Sequence, residues 1–263
     1  MATKVTRKQL LEACDVVAKA TCRPVARGFR PGRGLRAVRR AIKSLPDRPL
    51  APGELCLPLV SALMDHEPWD VLPHHLLEPL FDGLRVLARW PEPARPITAN
   101  TIGEAKVTLC LGDVSVRGDL VVRGTLLVAG SLRVSGAIHA LGDEWYSGTL
   151  VVLGDVHAAR MNALGPGVIA GTLALKQGLS TAYYHDTDAS LVARRIEAPI
   201  WFDRGDIAGR VRGTKQIARR LRFQKWLPAK LPKYFDGESR KVEWDGFDAA
   251  FYRAAIRATD AQK

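Results

Sequence analysis

Cysteine, methionine and aromatic side chains are scarce in this chain: four Cys, three Met and 7% Phe, Trp and Tyr in 263 residues. Cys14, Cys22, Cys56 and Cys110 form no C-x-x-C pair, which excludes a zinc ribbon or a thioredoxin-type redox motif and leaves ordinary reduced thiols as the expectation. No apolar run reaches the roughly 18 residues that a membrane helix needs. The first ten residues carry Lys4, Arg7 and Lys8 with no apolar stretch and cleavage site behind them, so a cytoplasmic location is expected. A Gly-x-Ser-x-Gly elbow, a P-loop lysine and a Rossmann fingerprint opening a helix are also missing. Those absences point away from an enzyme, and no cofactor and no metal are expected.

Glycine, by contrast, is placed with strict regularity. It occupies every sixth position from Gly112 through Gly118, Gly124, Gly130, Gly136, Gly142 and Gly148 to Gly154. A six-residue period is the signature of a solenoid, in which short strands and corners bury a core only by stacking. Two residues after glycine stand Val114, Leu120, Leu126, Leu132, Ile138, Leu150 and Val156; four after stand Val116, Val122, Val128, Val134, Ala140, Val152 and Ala158. These alternate positions define the buried face, and Ser115, Val121, Leu127, Arg133, His139, Trp145, Val151 and His157 between them should point outward. Glycine marks the corner, by close backbone approach or positive φ. With three units per coil, residues eighteen apart stack.

The unit Gly142-Asp143-Glu144-Trp145-Tyr146-Ser147 breaks the alternation and reads as a bulging corner. A similar aromatic stretch, Tyr183-Tyr184-His185, precedes Leu191-Val192-Ala193. The hexad decays beyond Ala159, yet Val168, Ile169, Leu173, Leu175, Leu179, Ile196, Ile200 and Trp201 continue to supply core.

Left-handed hexapeptide acyltransferases carry an aliphatic residue before the glycine-like position, where this chain has Leu111, Arg117, Arg123, Ala129, Ser135, Leu141, Ser147 and Leu153. The pattern of aliphatics two and four after glycine, over about residues 108–202, instead resembles the bactofilin-like, polymer-forming β-helix proteins of bacteria. The stretch Trp145 to Val156, with Pro232-Lys233-Tyr234-Phe235-Asp236 and Trp244-Asp245-Gly246-Phe247, is similar to a wider group of bacterial β-helix proteins found beside toxin and immunity genes. That resemblance implies a binding protein or a self-assembling one.

The flanks read as helical. Thr6 is placed to cap a helix through Leu10, Cys14 and Val17; Leu35 to Leu45 makes a second, 55–64 a third, and Leu76 to Leu87 a strongly apolar fourth. Trp90-Pro91-Glu92-Pro93-Ala94-Arg95-Pro96 stops helix and reads as a linker. Helices are expected again over 214–226 and 244–258, the latter as a cap on the last coil. The expected class is therefore mainly β with helical flanks: an α-helical part over 1–97, a β-helix (β-solenoid) over 98–203, and a basic helical cap over 204–263.

Charge divides along the same lines. Ten Lys or Arg face one acid between Lys19 and Arg48, and ten face one between Arg204 and Lys233, whereas 99–203 holds eight bases and ten acids. Basic flanks suit an acidic protein partner; nucleic acid is the weaker expectation, for want of any motif.

Candidate sites are few. His139 and His157, eighteen apart, would stack on one outer face but have no carboxylate fixed by spacing to orient them. His74-His75 with Glu78 lacks a third ligand, and His185 with Asp186 and Asp188 reads as a polar turn. Interfaces favour exposed aromatic anchors, so the partner-binding candidates are Trp145, Tyr146, Tyr183, Tyr184 and His185, with Arg219, Arg220, Arg222 and Lys225 on a charged helix. The expectation is a non-enzymatic protein-binding solenoid, of the immunity type that blocks a bacterial toxin. Its alternatives are a self-assembling scaffold and, more remotely, an acyltransferase-like enzyme.

Overall fold

The chain was described by a computed structural model that defines residues 4–20, 32, 34–50, 74–89, 101–102, 107–140, 148–163, 165–181, 191–203, 212–222, 231 and 248–260. The third expected helix (55–64) and the Pro-rich linker lie outside them.

Among the described residues twelve strands stack in parallel as a three-walled solenoid. Wall A comprises β1 (Thr101–Ile102), β4 (Leu120–Val122), β7 (Ala137–Ala140) and the C-terminal parts of β9 (Val156–Ala163), β10 (Gly167–Thr181), β11 (Leu191–Asp203) and β12 (Arg212–Arg222). Wall B comprises β2 (Val107–Cys110), β5 (Thr125–Val128), β8 (Thr149–Val152) and the beginnings of β10 and β11. Wall C comprises β3 (Val114–Val116), β6 (Leu132–Val134), the beginning of β9 and the middles of β10, β11 and β12.

The alternation dictated this. Leu120, Leu126, Leu132, Ile138, Leu150, Val156, Leu173 and Leu179 all point into one dry core, fully buried. Each contributes about 1.5–3 kcal/mol of transfer free energy, realised only when the coils above and below are present.

Register follows the expected eighteen at first: Leu109 pairs Leu127, Val114 pairs Leu132 and Leu120 pairs Ile138. The next step is longer, with Leu126 opposite Leu150 and Leu132 opposite Val156. One six-residue unit has thus been added between β7 and β8, where the sequence breaks its alternation.

Glycine works at the corners mainly by close approach. A Cβ on Gly130 would stand 2.6 Å from the carbonyl carbon of Gly112, and one on Gly136 2.8 Å from that of Gly118. Room made in this way is used by the residue after glycine. Asp113 Oδ1 accepts from the Ser131 N–H at 2.8 Å, Ser131 Oγ from the Asp155 N–H at 3.2 Å, and Asp155 Oδ1 from the Thr172 N–H at 2.7 Å. A side-chain ladder therefore climbs the corner between walls B and C, satisfying backbone donors that the strands leave unpaired.

The N-terminal helices are α1 (Arg7–Lys19), α2 (Leu35–Ser44) and α3 (His74–Leu87). Thr6 caps α1 reciprocally: the Gln9 N–H donates to Thr6 Oγ1 at 3.3 Å while Gln9 Oε1 accepts from the Thr6 N–H at 2.9 Å. The helices bury Leu10, Cys14, Val38, Ile42, Leu80, Phe81 and Leu84 together with Leu127, Val151, Val168 and Val192. Those last four are outward positions of wall B, so the helical part lies against that wall.

At the other end α4 (Ala249–Asp260) lies along the outside of wall A. Phe251, Tyr252 and Ala255 enclose Ile200 and Phe202, and Phe202 meets Phe251 edge-on at 5.2 Å. No helix among the described residues is long and apolar enough to cross a membrane.

The helix expected over 214–226 is not formed where the chain is described: 212–222 is strand β12, paired in parallel with β11. Ile217 and Leu221 are spaced four apart and mimic a helical stripe, but the unpaired edge of β11 offers a complete ladder and overrides that weak preference. The coil stack accordingly reaches Arg222.

Candidate functional site

Among the described residues, helices lie against two of the three walls, and none lies against the outer face of wall C. Its outward column runs Ser115, Arg133, His157, Ala174, Glu197 and Gln216, one residue per coil. Together with Ser135 and Lys176 at the adjoining corner, the column from Ser115 to Glu197 lines an open groove of about 720 Å³. Successive coils lie about 4.8 Å apart, which places Arg133 and Lys176 about two coils, roughly 10 Å, from one another. Glu197 is engaged by Arg195 at 2.7 Å. The cations of the groove thus face outward while its acid is already paired, so the groove favours an anionic partner.

His157 lies in this groove, whereas His139 does not. His139 is opposite Val121 and Asn162 on wall A, and His157 is opposite Arg133 and Ala174 on wall C. The expected stacking of the two rings fails because the added unit lengthens the coil from eighteen to twenty-four residues.

His139 is also buried rather than exposed, at 4%. The Asn162 side-chain N–H donates to His139 Nδ1 at 3.0 Å, and the Tyr252 hydroxyl donates to Asn162 Oδ1 at 3.5 Å. His139 Nε2 stands 3.9 Å from Asp119 Oδ2, as does the Arg160 guanidinium. Burial beneath the helix pushes the Tyr252 phenol above its ordinary pKa, against the pull of Arg160. This chain of polar groups ties α4 to the middle coils.

The final coil has an unusual interior. Lys215 and Arg220 continue the inward columns that hold Ile196 and Trp201 one coil below. Lys215 Nζ lies 4.8 Å and the Arg220 guanidinium carbon 4.3 Å from the Trp201 ring centre, both within cation–π range. Arg219 points to the other side and pairs with Asp260 of α4 at 2.7 Å.

The sequence candidates are thereby redistributed. Arg219 and Arg220 sit on a strand and are engaged within the fold, and Arg222 ends that strand. Trp145, Tyr146, Tyr183, Tyr184, His185 and Lys225 lie outside the described residues, as do the side chains of His74 and His75. Among the described residues no cluster of three His, Cys, Asp or Glu is assembled. Sequence reading missed the groove, although its signal was present: of the outward positions, Leu127 and Val151 are aliphatic while Ser115, Arg133 and His157 are polar.

Comparison with protein-family models, with curated proteins and with solved structures finds no match.

Proposed function

We propose that this β-solenoid is a non-enzymatic recognition protein whose wall C receives an acidic protein surface. The observation that carries the reading is the asymmetry of the three walls: helices bury A and B, while C presents Arg133, His157 and Lys176 along a groove. A rigid wall of parallel strands holds such groups at fixed spacing with little entropy left to lose on binding. Long-range attraction from the basic flanks would speed the encounter.

An immunity protein that occludes the active site of a bacterial toxin fits this arrangement, since an inhibitor needs a preformed complementary surface and no chemistry of its own. The scaffold alternative has the coil stack in its favour. Against it stand Lys215 and Arg220, which put cations where an incoming coil would have to bury aliphatic side chains.

The test is co-expression with the products of the genes adjoining its own, followed by purification and measurement of mass. A one-to-one complex that is lost in Arg133→Glu/Lys176→Glu supports the reading. A complex unaffected by that double change removes the groove from it, and filaments of the unaltered protein would establish the scaffold instead.

A further inference from the structure

We propose that the wall C groove takes from its partner an aromatic side chain with a carboxylate close by in sequence, and that the ring is seated over Ala174. This assignment rests on wall C being the recognition face, and it names the group that the face receives.

The seat is a hollow in the outward surface. Ala174 stands opposite His157 on the coil below and Glu197 on the coil above, each about 4.8 Å away along the stack. Lys176 follows on the same side of β10, about 7 Å along the strand, and is exposed. A single methyl group is thus ringed by three long side chains. Ala159, two residues beyond His157, widens the hollow toward the corner, and Ala158 and Leu175 close its floor. Ala159 and Ala174 are both half-buried, so the bottom of the groove is apolar while its rim is charged.

Floor and rim together select a ring. A flat side chain can lie on the two methyl groups with the His157 imidazole at its edge, while Lys176 beside it and Arg133 one coil below His157 reach its face. Cation–π contact at such exposed positions is worth about 0.5–1 kcal/mol. Aromatic side chains also bury a large area with few torsions to freeze, which makes them good interface anchors.

Charge fixes what accompanies the ring. Among the described residues Arg133, His157 and Lys176 have no acidic partner, whereas Glu197 is held by Arg195 at 2.7 Å. In an extended partner segment the residue two places from the ring lies about 7 Å away on the same side, and a carboxylate there comes within reach of either cation. A chain of phosphates fits less well: residues 99–203 hold ten acids against eight bases, and Glu197 stands at the upper rim.

The probe is a capped hexapeptide, Ser-Glu-Ser-Phe-Ser-Gly, titrated into the full-length protein isotope-labelled at its alanine methyl groups and followed by NMR. The Ala174 signal, assigned as the one missing from Ala174→Val, should move upfield under the ring current and saturate. Replacing Phe by Ala in the peptide should weaken binding about tenfold, as for a modest hot spot, and abolish the upfield shift. Replacing Glu by Gln should also weaken binding about tenfold. Ala174→Leu fills the hollow and keeps every charge, so it should lose the preference for Phe over Ala and keep the preference for Glu over Gln. Arg133→Glu/Lys176→Glu should lose the preference for Glu.

Equal binding of the Phe and Ala peptides, or saturation without an upfield shift at Ala174, overturns the proposal. The reading of wall C survives that result if Glu is still preferred and the charge reversal removes the preference; if neither preference is found, the proposal falls together with that reading. Should Ala174→Leu fail to fold, the peptide series on the unaltered protein decides alone. A single-stranded oligonucleotide that binds more tightly than the peptide and shifts Ala174 upfield also overturns it, the ring then being a base.

Discussion

The guanidinium carbon of Arg220 stands 4.3 Å from the centre of the Trp201 ring, on the side where the next coil would begin. With Lys215 it replaces the apolar pair, Ile196 and Trp201, that the coil below presents. Lys215→Leu/Arg220→Leu should convert this end into an apolar platform. Light scattering is expected to show mass rising with concentration for the variant, and a constant mass for the parent. A variant as monodisperse as the parent would show that the cations do not limit assembly.

Phe251 is the anchor of α4, fully buried against Phe202 at 5.2 Å and Tyr252 at 5.7 Å. Phe251→Ala should cost about 3–5 kcal/mol, the range for losing a buried aromatic side chain. Phe251→Leu should cost clearly less. Both are read from the midpoint and slope of a denaturant titration, and a loss under about 1 kcal/mol for alanine would mean that α4 contributes little to the fold.

At the corner between walls B and C, Gly130→Ala should be far more damaging than Asp113→Ala. The new methyl would meet Gly112 and Asp113 backbone at 2.6 Å, and backbone cannot move aside. Loss of the Asp113 acceptor removes one hydrogen bond, worth about 1 kcal/mol. Thermal unfolding of the two variants side by side checks the order.

Asp82 is 1% exposed within the helical part, accepts the Gly32 N–H at 3.1 Å and lies 3.6 Å from Arg85. Burial raises its carboxyl pKa above the usual value; the Gly32 hydrogen bond and Arg85 oppose this only in part. A raised folded value means that, between it and the unfolded value, the native state holds a proton the unfolded chain has released. Stability therefore falls as pH rises through that interval, by at most about 1.4 kcal/mol per pH unit. Asp82→Asn has no such proton and retains an oxygen for Gly32, so it should gain on the parent as pH rises above the ordinary carboxyl value. A pH-independent difference would contradict the raised value.

Cys14 bears on the same helices. Its buried thiol is pushed up to about 11, against the pull of Arg39, so at neutral pH it is almost wholly protonated and a poor nucleophile. A thiol reagent should modify it at the rate of global unfolding, and rapid labelling of the native protein would show that α1 opens locally.

The coils were legible because glycine period and aliphatic alternation are short-range signals that each residue repeats. Thr6 with Gln9 marked the start of α1 for the same reason. The placement of α4 on wall A and of the N-terminal helices on wall B came from long-range packing. Its trace in the sequence is faint: apolar side chains at outward positions such as Leu127, Val151 and Phe202. β12 was misread because its inward positions hold Lys215 and Arg220, which remove the alternation that identifies a strand. His157 was misplaced by a single inserted unit, which moves it to wall C, and His139 by the packing of α4 on wall A.

Residues in excess of the eighteen-residue coil enter at one place. The described chain leaves wall A at Ala140, Thr181 and Asp203 and resumes on wall B at Thr149, Leu191 and Arg212, whereas the corner from B to C keeps its glycine column and its Asp–Ser–Asp ladder. Added length at the first junction leaves the registers on all three walls intact, as the alignment of Leu126 with Leu150 across the longer coil demonstrates. The architecture thus separates a fixed frame from an adjustable seam. New sequence can be written between a strand of wall A and the following strand of wall B, coil by coil, without renegotiating the core.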